Sequence, residues 1–154
     1  MDSALDTTRF AALLKGLGRS FGLPDLQPDE DGCCILMFDE IVVTLQLDAT
    51  GKHVTIHTQI GTLPPDASAG RLESLLAANL FWTHTAGATL ALLPGNRAVV
   101  LARRCVLEAL EQPQFEHDLA GFLDAAERWR EELQKPEAVP ANPDVPAMPF
   151  GMLA

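Results

Sequence analysis

The 154-residue chain has no tyrosine, three cysteines, and only 11 lysines and arginines against 21 aspartates and glutamates. Each scarcity removes a class of function. Without tyrosine there is no phenol to act as acid, base or nucleophile. Cys33, Cys34 and Cys105 are an odd set without metal-type spacing. On a strand the adjacent Cys33 and Cys34 point to opposite faces, so the three read as small apolar strand residues in a reducing compartment. The formal net charge of -10 repels nucleic acid and anionic membrane surfaces, and Arg103-Arg104 is the only adjacent basic pair. No apolar run approaches the roughly 20 residues that span a bilayer. Asp2 and Asp6 interrupt any signal-type start. The expectation is a cytoplasmic protein with no nucleic-acid partner and no membrane insertion.

Catalytic patterns are equally scarce. His53 and His57 share one strand face but stand roughly 13 Å apart at about 3.3 Å per residue, too far to hold one ion unaided. His84 and His117 read as surface residues. Asp39-Glu40 reads as a turn rather than a paired acid. Ser20 and Ser74 lack the surroundings of an activated nucleophile, and no glycine pattern cradles a phosphate. The residues therefore predict no enzyme, no cofactor and no metal.

What is present is an ordered set of amphipathic elements. Asp6-Thr7-Thr8 offers N-cap side chains to a helix carrying Phe10, Leu13, Leu14, Leu17 and Phe21. Gly22 and Pro24 stop it. Cys33 to Phe38 is a short apolar strand. After the Asp39-Glu40 turn, Ile41, Val43, Leu45 and Leu47 alternate with Val42, Thr44, Gln46 and Asp48, the period-two pattern of a half-buried strand. A Gly51 turn leads to a third strand with Val54, Ile56 and Ile60 inward. The stretch from Ser68 to Arg104 organises the rest. Ser68 caps a helix whose Leu72, Leu75, Leu76 and Leu80 fall on one stripe, with Phe81-Trp82 directly beyond. Two large aromatics there need a covering surface, supplied by the chain's own sheet or by a second copy. Two strands, Ala88–Leu93 and Ala98–Arg103, meet at Pro94-Gly95-Asn96. A last helix opens near Gln112-Pro113 and carries Phe115, Leu119, Phe122, Ala126, Trp129 and Leu133.

The composition changes at Pro136. Pro140, Pro143, Pro146 and Pro149 recur every third residue, matching the polyproline II repeat, and Val145, Met148, Phe150, Met152 and Leu153 follow among them. The predicted organisation is a domain at residues 1–135 and a flexible Pro-rich tail at 136–154. The fold expected is α+β, a twisted antiparallel sheet with three helices in the order α-β-β-β-α-β-β-α.

These residues resemble the class I type III secretion chaperones, the Tir-chaperone (CesT-like) family. The likeness lies in Leu75-Leu76-Ala77-Ala78-Asn79-Leu80-Phe81-Trp82, in Ala86-Gly87-Ala88-Thr89-Leu90, and in the Asn96–Arg103 strand. It extends to the last helix through Phe122-Leu123, Ala126-Glu127, Trp129-Arg130 and Leu133. It covers about residues 6–134 and leaves the tail outside. The resemblance implies a small non-enzymatic homodimer of the bacterial cytoplasm. Such a protein binds the N-terminal segment of a secreted effector in extended form, keeps it soluble, and delivers it to the secretion ATPase. It places the dimer interface at Leu72, Leu75, Leu76, Leu80, Phe81 and Trp82. Leu13, Leu17, Phe21, Ile35, Met37 and Val42 are the candidate cargo-binding residues, since they exceed what one small core requires. The alternative is a small dimeric regulatory domain that sequesters a folded transcription or secretion regulator. The apolar tail resembles what a cargo segment supplies. It is expected either to lie in a cargo groove of its own or a neighbouring dimer, or to be a disordered extension.

Overall fold

The structure, a computed structural model, describes residues 2–23 and 25–137, with side chains described from Thr7 onward. The predicted tail lies almost wholly outside the described residues. Within them the chain runs α1 (Asp2–Phe21), β1 (Cys33–Phe38), β2 (Ile41–Leu47), β3 (His53–Thr62), α2 (Ala69–Ala78), β4 (Thr89–Leu92), β5 (Ala98–Val106) and α3 (Gln112–Gln134). Single 3-10 turns follow α2 at Leu80–Trp82 and β5 at Leu107–Ala109. This is the α+β order expected. One boundary differs: α1 begins at Asp2, so Asp6, Thr7 and Thr8 lie inside the helix and do not cap it.

The five strands form one sheet in the order β1-β2-β3-β5-β4, and every neighbouring pair is antiparallel. The register places Leu36 opposite Val43, Leu45 opposite Ile56 and Val54 opposite Cys105. Because side chains alternate along a strand, these residues share one face with Cys34, Leu47, Leu90 and Leu101. All of them are buried.

Two helices cover that face. From α1 come Phe10, Leu13, Leu14 and Leu17, and from α3 come Phe115, Leu119, Phe122, Ala125 and Ala126, all buried in one continuous core. Each large side chain taken fully out of water contributes roughly 1.5–3 kcal/mol before conformational entropy is counted. Glycine allows the helices to sit this close at two places. A Cβ on Gly16 of α1 would lie 2.4 Å from the Gln112 side chain at the start of α3. A Cβ on Gly61, beside the β3 bulge, would lie 3.0 Å from Leu133 near the end of α3.

Polar ties fix the layers. Arg9 donates from Nε to the Leu107 carbonyl at 2.9 Å and from Nη2 to that of Leu110 at 3.0 Å, fastening α1 to the link before α3. Arg103 reaches from β5 to Asp118 of α3 at 2.8 Å and donates to the Ala86 carbonyl at 3.0 Å. Sequence reading saw Arg103 only as half of a basic pair; its guanidinium instead joins sheet, helix and the link before β4. At the β2–β3 turn, Asp48 accepts from the Thr50 hydroxyl at 2.8 Å, the Lys52 backbone N–H at 3.0 Å and the His53 backbone N–H at 3.3 Å. Its other oxygen meets His53 Nδ1 at 3.0 Å. Desolvation pushes this carboxyl upward, but the bonds from Thr50, His53 and Lys52 outweigh it and hold the group well below the usual carboxylate range.

Two outcomes follow from these ties. Arg103→Met leaves the Asp118 carboxylate mostly buried without its partner, and urea unfolding should show a loss of roughly 3 kcal/mol. A carboxyl held low adds stability that is fully present above its unfolded value near 4 and fades as pH falls below it. Asp48→Asn should therefore flatten the fall in melting temperature between about pH 5 and pH 2, the window set by that downward shift.

Candidate functional site

The first candidate surface is built by α2 and the turn after it. Ser68 caps α2 as predicted, its hydroxyl accepting from the Arg71 backbone N–H at 3.1 Å. At the other end, Asn79 holds β4 by both ends of its side-chain amide. Its Nδ2 donates to the Leu90 carbonyl at 3.1 Å, and its Oδ1 accepts from the Leu90 N–H at 2.8 Å. The chain then turns sharply, with Phe81 and Trp82 both in the left-handed region at φ 57° and 55°. That conformation costs an ordinary side chain about 1–2 kcal/mol per residue and persists only where the surroundings impose it. Here the Trp82 carbonyl accepts from the Thr85 and Gly87 N–H groups, and the Trp82 indole donates to the Thr89 hydroxyl at 3.3 Å. The turn leaves Phe81 77% and Trp82 54% exposed, beside Leu76 at 71%. Leu80 is also exposed and Leu72 half-buried to exposed. Leu75 is the exception among the six predicted interface residues: it points into the chain's own core.

The second candidate surface is the uncovered face of the sheet. Ile35 and Met37 on β1 are 65% and 69% exposed, and Val42, the register partner of Met37, is exposed beside them. Phe21, predicted with this group, is partly exposed but stands on the other side: it packs edge-on against Phe38, ring centroids 5.5 Å apart, and Phe38 alternates with Cys34 and Leu36 on the covered face. Leu13 and Leu17, predicted with this group, belong to the core because their side of α1 faces the sheet. On the same face a cleft of about 720 Å³ runs from Val42, Thr44 and His57 to Val100 and the end of α3 at Leu133 and Gln134. Glu40 and Arg130, paired at 2.6 Å, stand at its side.

Sequence reasoning missed Val106, Leu92 and Leu93, which are also exposed. For Val106 the signal was available: it falls in step with Val100 and Ala102 on β5, on the face opposite Leu101 and Cys105.

Of the titratable groups at the cleft, Glu40 and Arg130 are paired with each other. Among the described residues no group of three His, Cys, Asp or Glu side chains is placed to hold a metal ion. Cys34 and Cys105 are buried, and desolvation pushes their thiols up, away from the reactive thiolate. His53 is engaged by Asp48 and Arg104. Among the described residues no helix is long and apolar enough to cross a membrane. The exposed side chains of both surfaces are suited to apolar association.

Comparison with known proteins gives one family match and several structures of similar fold. The sequence model of the Tir chaperone protein (CesT) family matches residues 12–130. Among solved structures, the ExsC–ExsE complex is similar at 28% identity and a TM-score of 0.71, covering 82% of this chain and 95% of that one. The HopA1–SchA chaperone–effector complex is similar at 23% identity and a TM-score of 0.70, covering 82% and 97%. The Yersinia pestis type III secretion chaperone SycH, in complex with a fragment of YscM2, is similar at 21% identity and a TM-score of 0.62, covering 77% and 98%. The latter two, below 25% identity, speak to the fold alone. Comparison with curated proteins by sequence gives no match.

Proposed function

Because this chain belongs to the Tir chaperone protein (CesT) family, we propose that it is a type III secretion chaperone that works as a homodimer. It binds the N-terminal segment of a secreted effector in extended form and keeps that segment soluble and ready for secretion. It acts by binding, without catalysing a reaction, in the bacterial cytoplasm, and hands its cargo to the secretion ATPase.

The observation that carries this reading is the separation of two exposed apolar surfaces on one small acidic chain. Monomeric soluble proteins rarely leave such patches bare. The α2 surface, Leu72, Leu76, Leu80, Phe81 and Trp82, suits a two-fold contact, in which one patch meets its own copy. Leu75 supports it from beneath. The sheet surface, Ile35, Met37 and Val42, suits an extended segment. Leu13 and Leu17 support that surface from the core. β1 is an edge strand of the described sheet; Asp29 takes the outer N–H and C=O of Cys33, and beyond Cys33 the edge is open to an added strand whose alternate side chains would meet Ile35 and Met37. An unfolded segment pays ordering entropy when it binds, and apolar burial together with main-chain hydrogen bonds offsets that cost. A net charge of -10 keeps the loaded complex soluble. SchA, a chaperone solved with its effector, shares this fold.

Native mass spectrometry of the protein isolated from a bacterium with a type III system should find two copies with one larger, protease-sensitive polypeptide. A bare monomer would sink the reading. Leu76→Glu combined with Phe81→Glu should weaken the dimer at least ~100-fold by light scattering, because two charges are forced into an apolar contact. Ile35→Glu with Met37→Glu should lower effector affinity at least ~10-fold while dimerisation and melting temperature stay unchanged, as expected for exposed positions.

A further inference from the structure

We propose that the chain's own C-terminal segment, Val145 to Leu153, docks on the open sheet face over Ile35, Met37 and Val42 and holds that face until cargo displaces it. This rests on the reading of that face as the cargo surface. The departure point of the tail is fixed. Arg71 of α2 donates to the carbonyls of Glu132 and Lys135 at 2.8 and 2.7 Å, and the Glu137 carboxylate accepts from the Ser68 N–H at 3.1 Å. The last residues of α3 are thereby clamped to the start of α2, and Leu133 and Gln134, just before them, line one end of the cleft.

Length and composition suit that occupant. From Glu137 to Val145 an extended Pro-rich segment spans about 25 Å at about 3.1 Å per residue. Crossing the sheet from β5 to β1 takes three strand spacings, about 14 Å. Val145, Met148, Phe150, Met152 and Leu153 can therefore reach β2 and β1. Residues 138–154 carry a single charge, Asp144, in a chain otherwise strongly acidic. The receiving surface is continuous: Ile35 and Met37 are register partners of Thr44 and Val42, which line the cleft. Four prolines reduce the chain entropy lost on docking and bring no backbone N–H that needs a partner. Tethering supplies an effective concentration of about 1 mM, so weak contact suffices to cover the face while a longer cargo segment still displaces it.

The test places a photo-crosslinking phenylalanine analogue at position 150 of the full chain and maps its crosslinks by mass spectrometry. Crosslinks should fall in residues 33–46, and in a mixture of light and heavy isotope-labelled chains they should join like-labelled segments only. Met37→Glu should lower the yield at least ~5-fold, since it puts a charge in the apolar contact, while Phe81→Glu should leave it unchanged. Crosslinks to residues 69–82, crosslinks between differently labelled chains, or a yield indifferent to Met37→Glu would each overturn the proposal. The crosslink needs no cargo. A chain that captures effector but gives no crosslink loses only the tail docking, and one that crosslinks but captures no effector loses only the chaperone reading.

Discussion

Two long helices cannot cover both faces of a five-stranded sheet, and the architecture follows from that limit. α1 and α3 lie together on one face and bury the alternating apolar residues of β1, β2, β3 and β5. Coverage of the opposite face falls to polar and small side chains on β3, where His53, Thr55, His57 and Gln59 alternate with the buried set. The rule fails at the β1–β2 hairpin. There Ile35, Met37 and Val42 are apolar on the uncovered side, and among the described residues no helix covers them. A strand apolar on both faces is ordinarily buried on both. In this chain one of those faces has been left for something outside the core.

The same economy governs α2. It is too short to reach across the sheet, and it touches the rest of the chain through Leu75 and Ala78, through Asn79 bridging to Leu90, and through Arg71 at the end of α3. Its remaining leucines face out. The left-handed pair at Phe81 and Trp82 adds conformational cost to exposed apolar area, two unfavourable features at one place. Both are offset together if the turn is held rigid in advance of an association that buries its rings. Thr85, buried and donating its hydroxyl to the Trp82 carbonyl, provides that rigidity. The two surfaces are thus fixed by different means, one by a sheet that lacks a layer and the other by a strained turn.

Much of this was legible in the sequence because it is encoded at short range. Alternation placed Ile41, Val43, Leu45 and Leu47 on one face, and the four-and-three spacing from Phe115 to Leu133 marked the buried side of α3. Ser68 and Pro136 bounded their helices as expected. What was not legible depends on partners far along the chain. Arg103 looked like surface charge until α3 brought Asp118 to it. The space over Gly16 is filled by the Gln112 side chain, which only the fold brings there.

The sequence by itself determined the order of elements, the inward faces of β2 and β3 and the acidic charge balance, since backbone geometry converts spacing into faces without reference to anything distant. Only the tertiary structure decided which apolar residues are spent on the core. Leu13, Leu17 and Leu75 are about as hydrophobic as Leu76, Leu80 and Ile35, and the sequence reading grouped them together. The first three are packed into the core and the others are left exposed. Burial is a relation between elements: residue type sets how strongly a side chain leaves water, and the packing of α1 and α3 on one face sets whether there is anywhere for it to go.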